Sequence, residues 1–189
     1  MKRRFHMALL SAALVLCVQS ATAADAGSSG EDLAAATEKA CGAPLVAADF
    51  TPAQLTSMRD STRAIALKFF KSTPDDQDKM LAPSAFIWSV GIGEIDRGRY
   101  SELHKARPGQ PDHGKPIAHR QTFNYVTVEA NRAAVDMENY VEFKDFTYDQ
   151  KYHNLVIVRD GKICALKIYA DVEQAKILVP DINNYVKPK

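Results

Sequence analysis

The side chains best suited to chemistry lie in the last third of the chain. Tyr148, Gln150, Tyr152 and Asn154 recur at every second position between residues 147 and 158. In an extended strand that period puts all four on one face. Either phenol can donate a hydrogen bond to a bound group, although a buried Tyr that only satisfies its own hydroxyl is the commoner case. Asp171 and Tyr169 end the neighbouring strand. Asp171 offers a carboxylate, but with Gln174 three residues on it also forms a helix N-cap pair. His119 opens the first long strand, and its near-neutral unperturbed pKa suits proton transfer. The plainer reading is an exposed histidine at a loop edge. Trp88 is the only tryptophan, and pocket lining and core packing account for it equally well. His104 and His113 fall at a helix end and in a Pro-rich loop, where solvation is expected. Asp136 and Glu138 fall on the polar face of a strand.

The elements that must position these residues are legible from their punctuation. Asp160-Gly161 separates two apolar-rich runs and predicts a type I′ hairpin, because its two central residues need φ > 0. The strands on either side are expected near 147–158 and 162–170. Two more are expected near 117–129 and 132–143, with a turn at Glu129-Ala130-Asn131-Arg132. Upstream, Thr51-Pro52-x-Gln54 is a capping box with Pro at the first helical position. Leu55, Met58, Thr62, Ile65, Ala66 and Phe69 then repeat at helical spacing, so a helix should run to about Lys71. Shorter helices are expected over Glu31–Ala40, from Pro74 to Leu81, and from Glu94 to Ala106. A short strand, Phe86–Val90, precedes a turn at Gly91-Ile92-Gly93. Helices followed by a four-stranded meander give an α+β class.

The block Tyr148-Asp149-Gln150-Lys151-Tyr152, Asp160-Gly161-Lys162-Ile163 and Tyr169-Ala170-Asp171 resembles the end of SnoaL-like domains. These are a branch of the ketosteroid isomerase/NTF2-like superfamily. There a Tyr-Asp-Asn-x-Tyr strand leads into Asp-Gly-Lys-Ile, and the next strand closes with Glu-Tyr-Phe-Asp. The resemblance spans about Thr51 to Pro180. It implies helices packed on a curved antiparallel sheet forming a cone-shaped pocket, with the outer sheet face available for a homodimer through residues such as Asp136, Glu138 and Tyr140. It also implies cofactor-independent acid–base chemistry on a small apolar molecule, by an isomerase, cyclase, dehydratase or epoxide hydrolase. By that resemblance Asp171 and His119 are the catalytic candidates. Trp88, Tyr148, Tyr152 and Tyr169 are the substrate-binding candidates, sharing one cavity with them. Ile168 stands where the family often has Glu and Ala170 where it has Phe, so any mechanism that needs that Glu does not transfer. The alternative is a non-catalytic ligand-binding or protein-interaction module of the same fold.

The remaining sequence bounds these readings. Lys2-Arg3-Arg4, the apolar run Met7–Val18 and Ala21-Thr22-Ala23 form a secretory signal pattern over residues 1–23. Periplasmic or secreted localisation is therefore expected, with Ala24 as the mature N-terminus. The next segment, 24–50, is an extension with one short helix, and 181–189 is a tail. Loss of the three basic residues of the signal takes the formal charge from +1 to −2. A near-neutral chain does not point to nucleic acid or to a membrane surface. Cys41 and Cys164 remain as an even pair, open between a disulfide and two separate buried thiols. No metal-ligand spacing, phosphate-binding Gly-rich loop or nucleophile elbow is present, so no cofactor or metal is expected.

Overall fold

Thr51 starts the helix that organises one face of the sheet. Its side-chain oxygen accepts from Gln54 N at 3.3 Å, and Gln54 Oε1 accepts from Thr51 N at 2.8 Å. With Pro52 at the first position, helix α2 (Pro52–Lys71) forms as the capping box predicts. The structure is a computed structural model that describes residues 30–106, 115–171 and 173–174. The signal segment, residues 24–29, His113, the tail 181–189 and the expected stop at Pro180 lie outside those residues.

Ahead of α2 lie α1 (Gly30–Cys41) and a short 3-10 turn (Ala47–Asp49). After it come α3 (Pro74–Met80), β1 (Leu81–Ser89), β2 (Gly93–Ile95) and α4 (Arg97–Ala106). The meander then follows as β3 (Ala118–Glu129), β4 (Arg132–Glu142), β5 (Thr147–Arg159) and β6 (Lys162–Ala170). These are the four expected strands, with bounds moved by a residue or so. The Asp160-Gly161 turn has φ of 50° and 73°, as a type I′ turn requires. The six-stranded curved sheet has the order β2-β1-β6-β5-β4-β3.

Two features were not legible in the sequence. β1 begins at Leu81, not near Phe86, and it lies parallel to β6. The strand passes through Pro83 because its pairing with β6 lapses between Leu81 and Phe86, where a residue without an N–H costs nothing. The helix expected from Glu94 starts at Arg97. Gly93–Ile95 pairs instead with β1, and Asp96 caps the helix by accepting from Arg99 N at 3.1 Å.

The sheet is covered on both faces. On the inner face, Ala66 and Phe69 of α2 pack on Val135, Met137, Val156, Val158, Ile163 and Leu166. On the outer face, Leu33, Ala36 and Ala40 of α1 pack on Phe86, Trp88, Ile157, Cys164 and Ala165. Strict alternation would put Cys164 with Leu166 on the inner side. The register slips by one residue between Ile157/Ala165 and Val158/Ile163, so Cys164 is the extra residue of a β-bulge. That slip turns its side chain outward, where it forms a disulfide with Cys41, with a Cα–Cα distance of 5.2 Å. The disulfide reading is therefore the one realised.

The bond closes a sequence separation of 123 residues. Chain-entropy arguments assign a loop of this length roughly 5 kcal/mol, and disulfides typically contribute about 2–4 kcal/mol. Cys41→Ala should lower the unfolding free energy by that order. Hydrogen exchange should show lost protection in residues 30–41, with β5 protected as before. Unchanged protection of α1 in the variant would mean that its apolar face alone holds it down.

Candidate functional site

Residues directly opposite one another on neighbouring strands share a face. Met137 and Val135 lie against α2, and the register places the other inner-face residues relative to them. One row reads Phe123–Met137–Tyr152–Ala170. Towards the far end of the sheet come Gln121–Asn139–Gln150 and then His119–Val141–Tyr148. On the other side lies Val135–Asn154–Ile168, extended by Ser89 of β1. The concave face thus carries an apolar floor with a short column of polar groups on β5.

Tyr148 and Tyr152 sit one above the other in that column, and their hydroxyls are 2.6 Å apart. Burial pushes the Tyr148 phenol far above its ordinary range, and Tyr152 and the nearby charge of Asp171 push the same way. Burial also raises Tyr152, against the opposing effect of its bond to Tyr148. Both are neutral phenols at any physiological pH. Between them Gln150 is 1% exposed. Its Nε2 donates to the Asp171 carbonyl at 3.2 Å, while its Oε1 is buried with no partner among the described residues. An acceptor left open beside two phenols is a polar site waiting for a hydrogen-bond donor.

Helix α4 brings two residues that the sequence reading did not select. Tyr100 is buried in the inner core, with its phenol raised by burial and by nearby Tyr152. One turn on, the His104 ring stacks on Tyr100 with centroids 4.1 Å apart. His104 Nδ1 donates to the Tyr100 carbonyl at 2.9 Å, which leaves Nε2 as the basic nitrogen. Burial lowers the His104 pKa, so the ring is neutral near pH 7. Solvation was expected for His104 and is corrected here: the ring is half-buried. The i, i+4 spacing of Tyr100 and His104 on one helix face was the available signal.

The structure divides the six residues chosen from the sequence. Tyr148 and Tyr152 meet, and Asp171 stands beside them. The Asp171 Oδ1 accepts from Glu173 N at 2.9 Å and Gln174 N at 3.4 Å, which is the N-cap arrangement. His119 shares the inner face but lies exposed at its far end, with Nε2 donating to Asn139 Oδ1 at 2.8 Å. Trp88 and Tyr169 do not join this column. They pack on each other on the outer face, 5.5 Å between ring centroids, Trp88 in the layer beneath α1 and Tyr169 exposed. Alternation explains the separation, since Ile87 and Ile168 take the inward positions beside them.

No protein-family model matches the chain, and no curated protein sequence matches it. Solved structures do. The BvnE pinacolase from Penicillium brevicompactum superposes with a TM-score of 0.53 at 10% identity, over 67% of this chain and 97% of that one. AclR, a candidate hydroxylase from Streptomyces galilaeus, gives 0.52 at 11% identity, over 65% and 83%. A candidate SnoaL-like polyketide cyclase from Jannaschia sp. CCS1 gives 0.49 at 10% identity, over 74% and 98%. At such identities the likeness concerns the fold. Helices on a curved sheet, in this order and with this concave face, give the chain the NTF2-like fold shared by SnoaL-like and ketosteroid isomerase-like proteins.

Proposed function

We propose that this chain is an exported small-molecule-binding protein. Its concave face takes a compact, mostly apolar ligand that carries a carbonyl or hydroxyl oxygen. The observation that carries this reading is the Tyr148–Tyr152 hydroxyl pair at 2.6 Å on an apolar floor. One phenol donates to the other, and the second proton is available to a ligand oxygen. Gln150 Oε1 supplies the complementary acceptor. Neutral groups suit an apolar ligand, because an ionised carboxylate in the same place would carry a desolvation cost of several kcal/mol. A pinacolase shares this fold. A small-molecule cup is in keeping with it.

The naphthyl ketone dye Prodan is a suitable probe, since its emission reports hydrogen bonding at its carbonyl. Wild type should bind it saturably. The double variant Tyr148→Phe/Tyr152→Phe keeps the shape and leaves no orphan hydroxyl, so it should fold normally. It should bind the dye about tenfold more weakly and lose the hydrogen-bonded emission component. Equal affinity and emission in the two proteins would exclude the phenol pair as the ligand anchor.

A catalytic version of the same reading rests on His104. Its Nδ1 is fixed by the Tyr100 carbonyl and its Nε2 is basic and neutral, which fits a general base facing a substrate held by the phenols. The sign of its pH effect follows from the lowered pKa. Below the ordinary value of 6.5 the unfolded chain binds a proton that the folded chain resists. Its stabilising contribution is present above pH 6.5 and is lost as the pH falls. Urea melts at a series of pH values should show that loss, and His104→Gln should flatten the slope below pH 6.5. An unaltered slope would mean that His104 is solvated.

Export rests on the basic, apolar and small-residue segments of residues 1–23, and the disulfide between Cys41 and Cys164 supports an oxidising compartment. The intact mass of exported protein should correspond to a chain starting at Ala24. Retention of Met1–Ala23 in that fraction would sink this part of the proposal.

A further inference from the structure

A cavity lies on the face of the sheet opposite the phenol pair. It has a volume of about 280 Å³ and sits between the C-terminal half of α1 and the outer surfaces of β4, β5 and β6. Ala34, Thr37 and Cys41 form its helix side, and Leu155 and Ile157 form its apolar floor. Three cations reach its lining: Arg132, Arg159 and Lys167. Among the described residues, the one carboxylate in its lining is that of Glu38, which lies on the exposed side of α1.

The register explains why the cations converge. Arg132 is opposite Ile157, and Lys167 is opposite Leu155, on the outer face. The two therefore flank β5 from either side, diagonally across the apolar floor. Arg159 is already engaged: its Nε donates to the Cys41 carbonyl at 2.9 Å and its Nη2 to the Ala43 carbonyl at 2.7 Å. Arg132 and Lys167 have no ion pair among the described residues. Glu129 lies across the β3–β4 hairpin from Arg132, outside the cavity lining. Burial and the neighbouring Arg132 both lower the Lys167 pKa. Two like charges held together over an apolar floor are a destabilising arrangement unless an anion joins them.

We propose that this cavity binds a small organic anion. Its carboxylate sits between Arg132 and Lys167, and its compact apolar body lies against Leu155, Ile157 and Ala34. The guanidinium of Arg132 can meet a carboxylate with two parallel N–H donors, and Lys167 adds a point charge. Because Cys41 lines the cavity, the site exists only while α1 is docked. It is independent of the cup, which lies across the thickness of the sheet.

The test uses oxidised, isotope-labelled protein, with benzoate as the anionic probe and benzyl alcohol as its neutral counterpart, at constant ionic strength. Benzoate should shift the amides of Arg132, Leu155, Ile157 and Lys167 saturably, and benzyl alcohol should not. Arg132→Gln/Lys167→Gln should lower benzoate affinity at least about tenfold, since charge-assisted bonds are lost at both ends of the carboxylate. Both positions are partly exposed and outside the core, so the fold should persist. Ala34→Phe fills the cavity from the helix side, keeps both cations, and should also abolish binding. The proposal is overturned by any of four results: no saturable response, an unchanged response in the double variant, equal binding of benzyl alcohol, or shifts confined to Tyr148, Gln150 and Tyr152.

Discussion

One extra residue in β6 decides how this sheet is used. At Cys164 the β5–β6 register slips, and the side chain that alternation would send inward turns outward instead. There it meets Cys41 at the end of α1. The crosslink sets α1 on Phe86, Trp88, Ile157 and Ala165, so β1, β5 and β6 are buried on both faces near the bond. A strand buried on both faces needs a continuous apolar run rather than alternation. Leu155-Val156-Ile157-Val158 and the run from Ile163 to Leu166 are such stretches. The polar outer face persists beyond α1, on β3, β4 and the first half of β5, where Asn124 donates to Asp136 at 2.9 Å, Arg120 stacks over Tyr140 and Lys151 lies 4.0 Å from Glu138.

The inner face obeys a different constraint. Away from water, polar groups persist only if they are neutral or paired. The column on β5 meets that condition with phenols and an amide. Tyr148 and Tyr152 satisfy one another, and Gln150 satisfies its donor end on the Asp171 backbone. What remains is one phenol proton and one amide acceptor, the pair on which the proposed ligand chemistry of the concave face rests. Asp171 stands close enough for its charge to raise Tyr148, yet its Oδ1 caps the next turn. It acts on the site through its backbone carbonyl and its field.

Two surfaces of one sheet therefore hold two kinds of polar site. The concave side presents neutral donors and an acceptor over an apolar floor. The convex side, between α1 and the sheet, presents cations over another apolar floor. The same β5 strand supplies both, Tyr148, Gln150, Tyr152 and Asn154 inward and Leu155 and Ile157 outward, because its side chains alternate.

Local chemistry was enough to place most of the elements. The Thr51 capping box, the Asp160-Gly161 turn and the alternation around Tyr148 each act within a few residues, and each fixes a piece of backbone unaided. The motif block from Tyr148 to Asp171 carried the fold. The partners across the sheet were not local. That β1 would lie parallel to β6 depends on closing a long loop, and Gly93–Ile95 is too short to announce itself as a strand. Nothing in the sequence says which face of a doubly buried strand looks inward, so the outward facing of Trp88 and Tyr169 is invisible to it. Tyr100 and His104 share a face by their i, i+4 spacing, but a helix with few apolar residues does not say that this face meets the core. The bulge at Cys164 had no signature either, since one unpaired residue changes the facing of a side chain only through its neighbour's hydrogen bonds. Sequence alone determined α2, the four strands of the meander and the column of Tyr148, Gln150 and Tyr152. Packing across the sheet decided which face each remaining residue serves, because facing is set by register between strands that are distant in the chain.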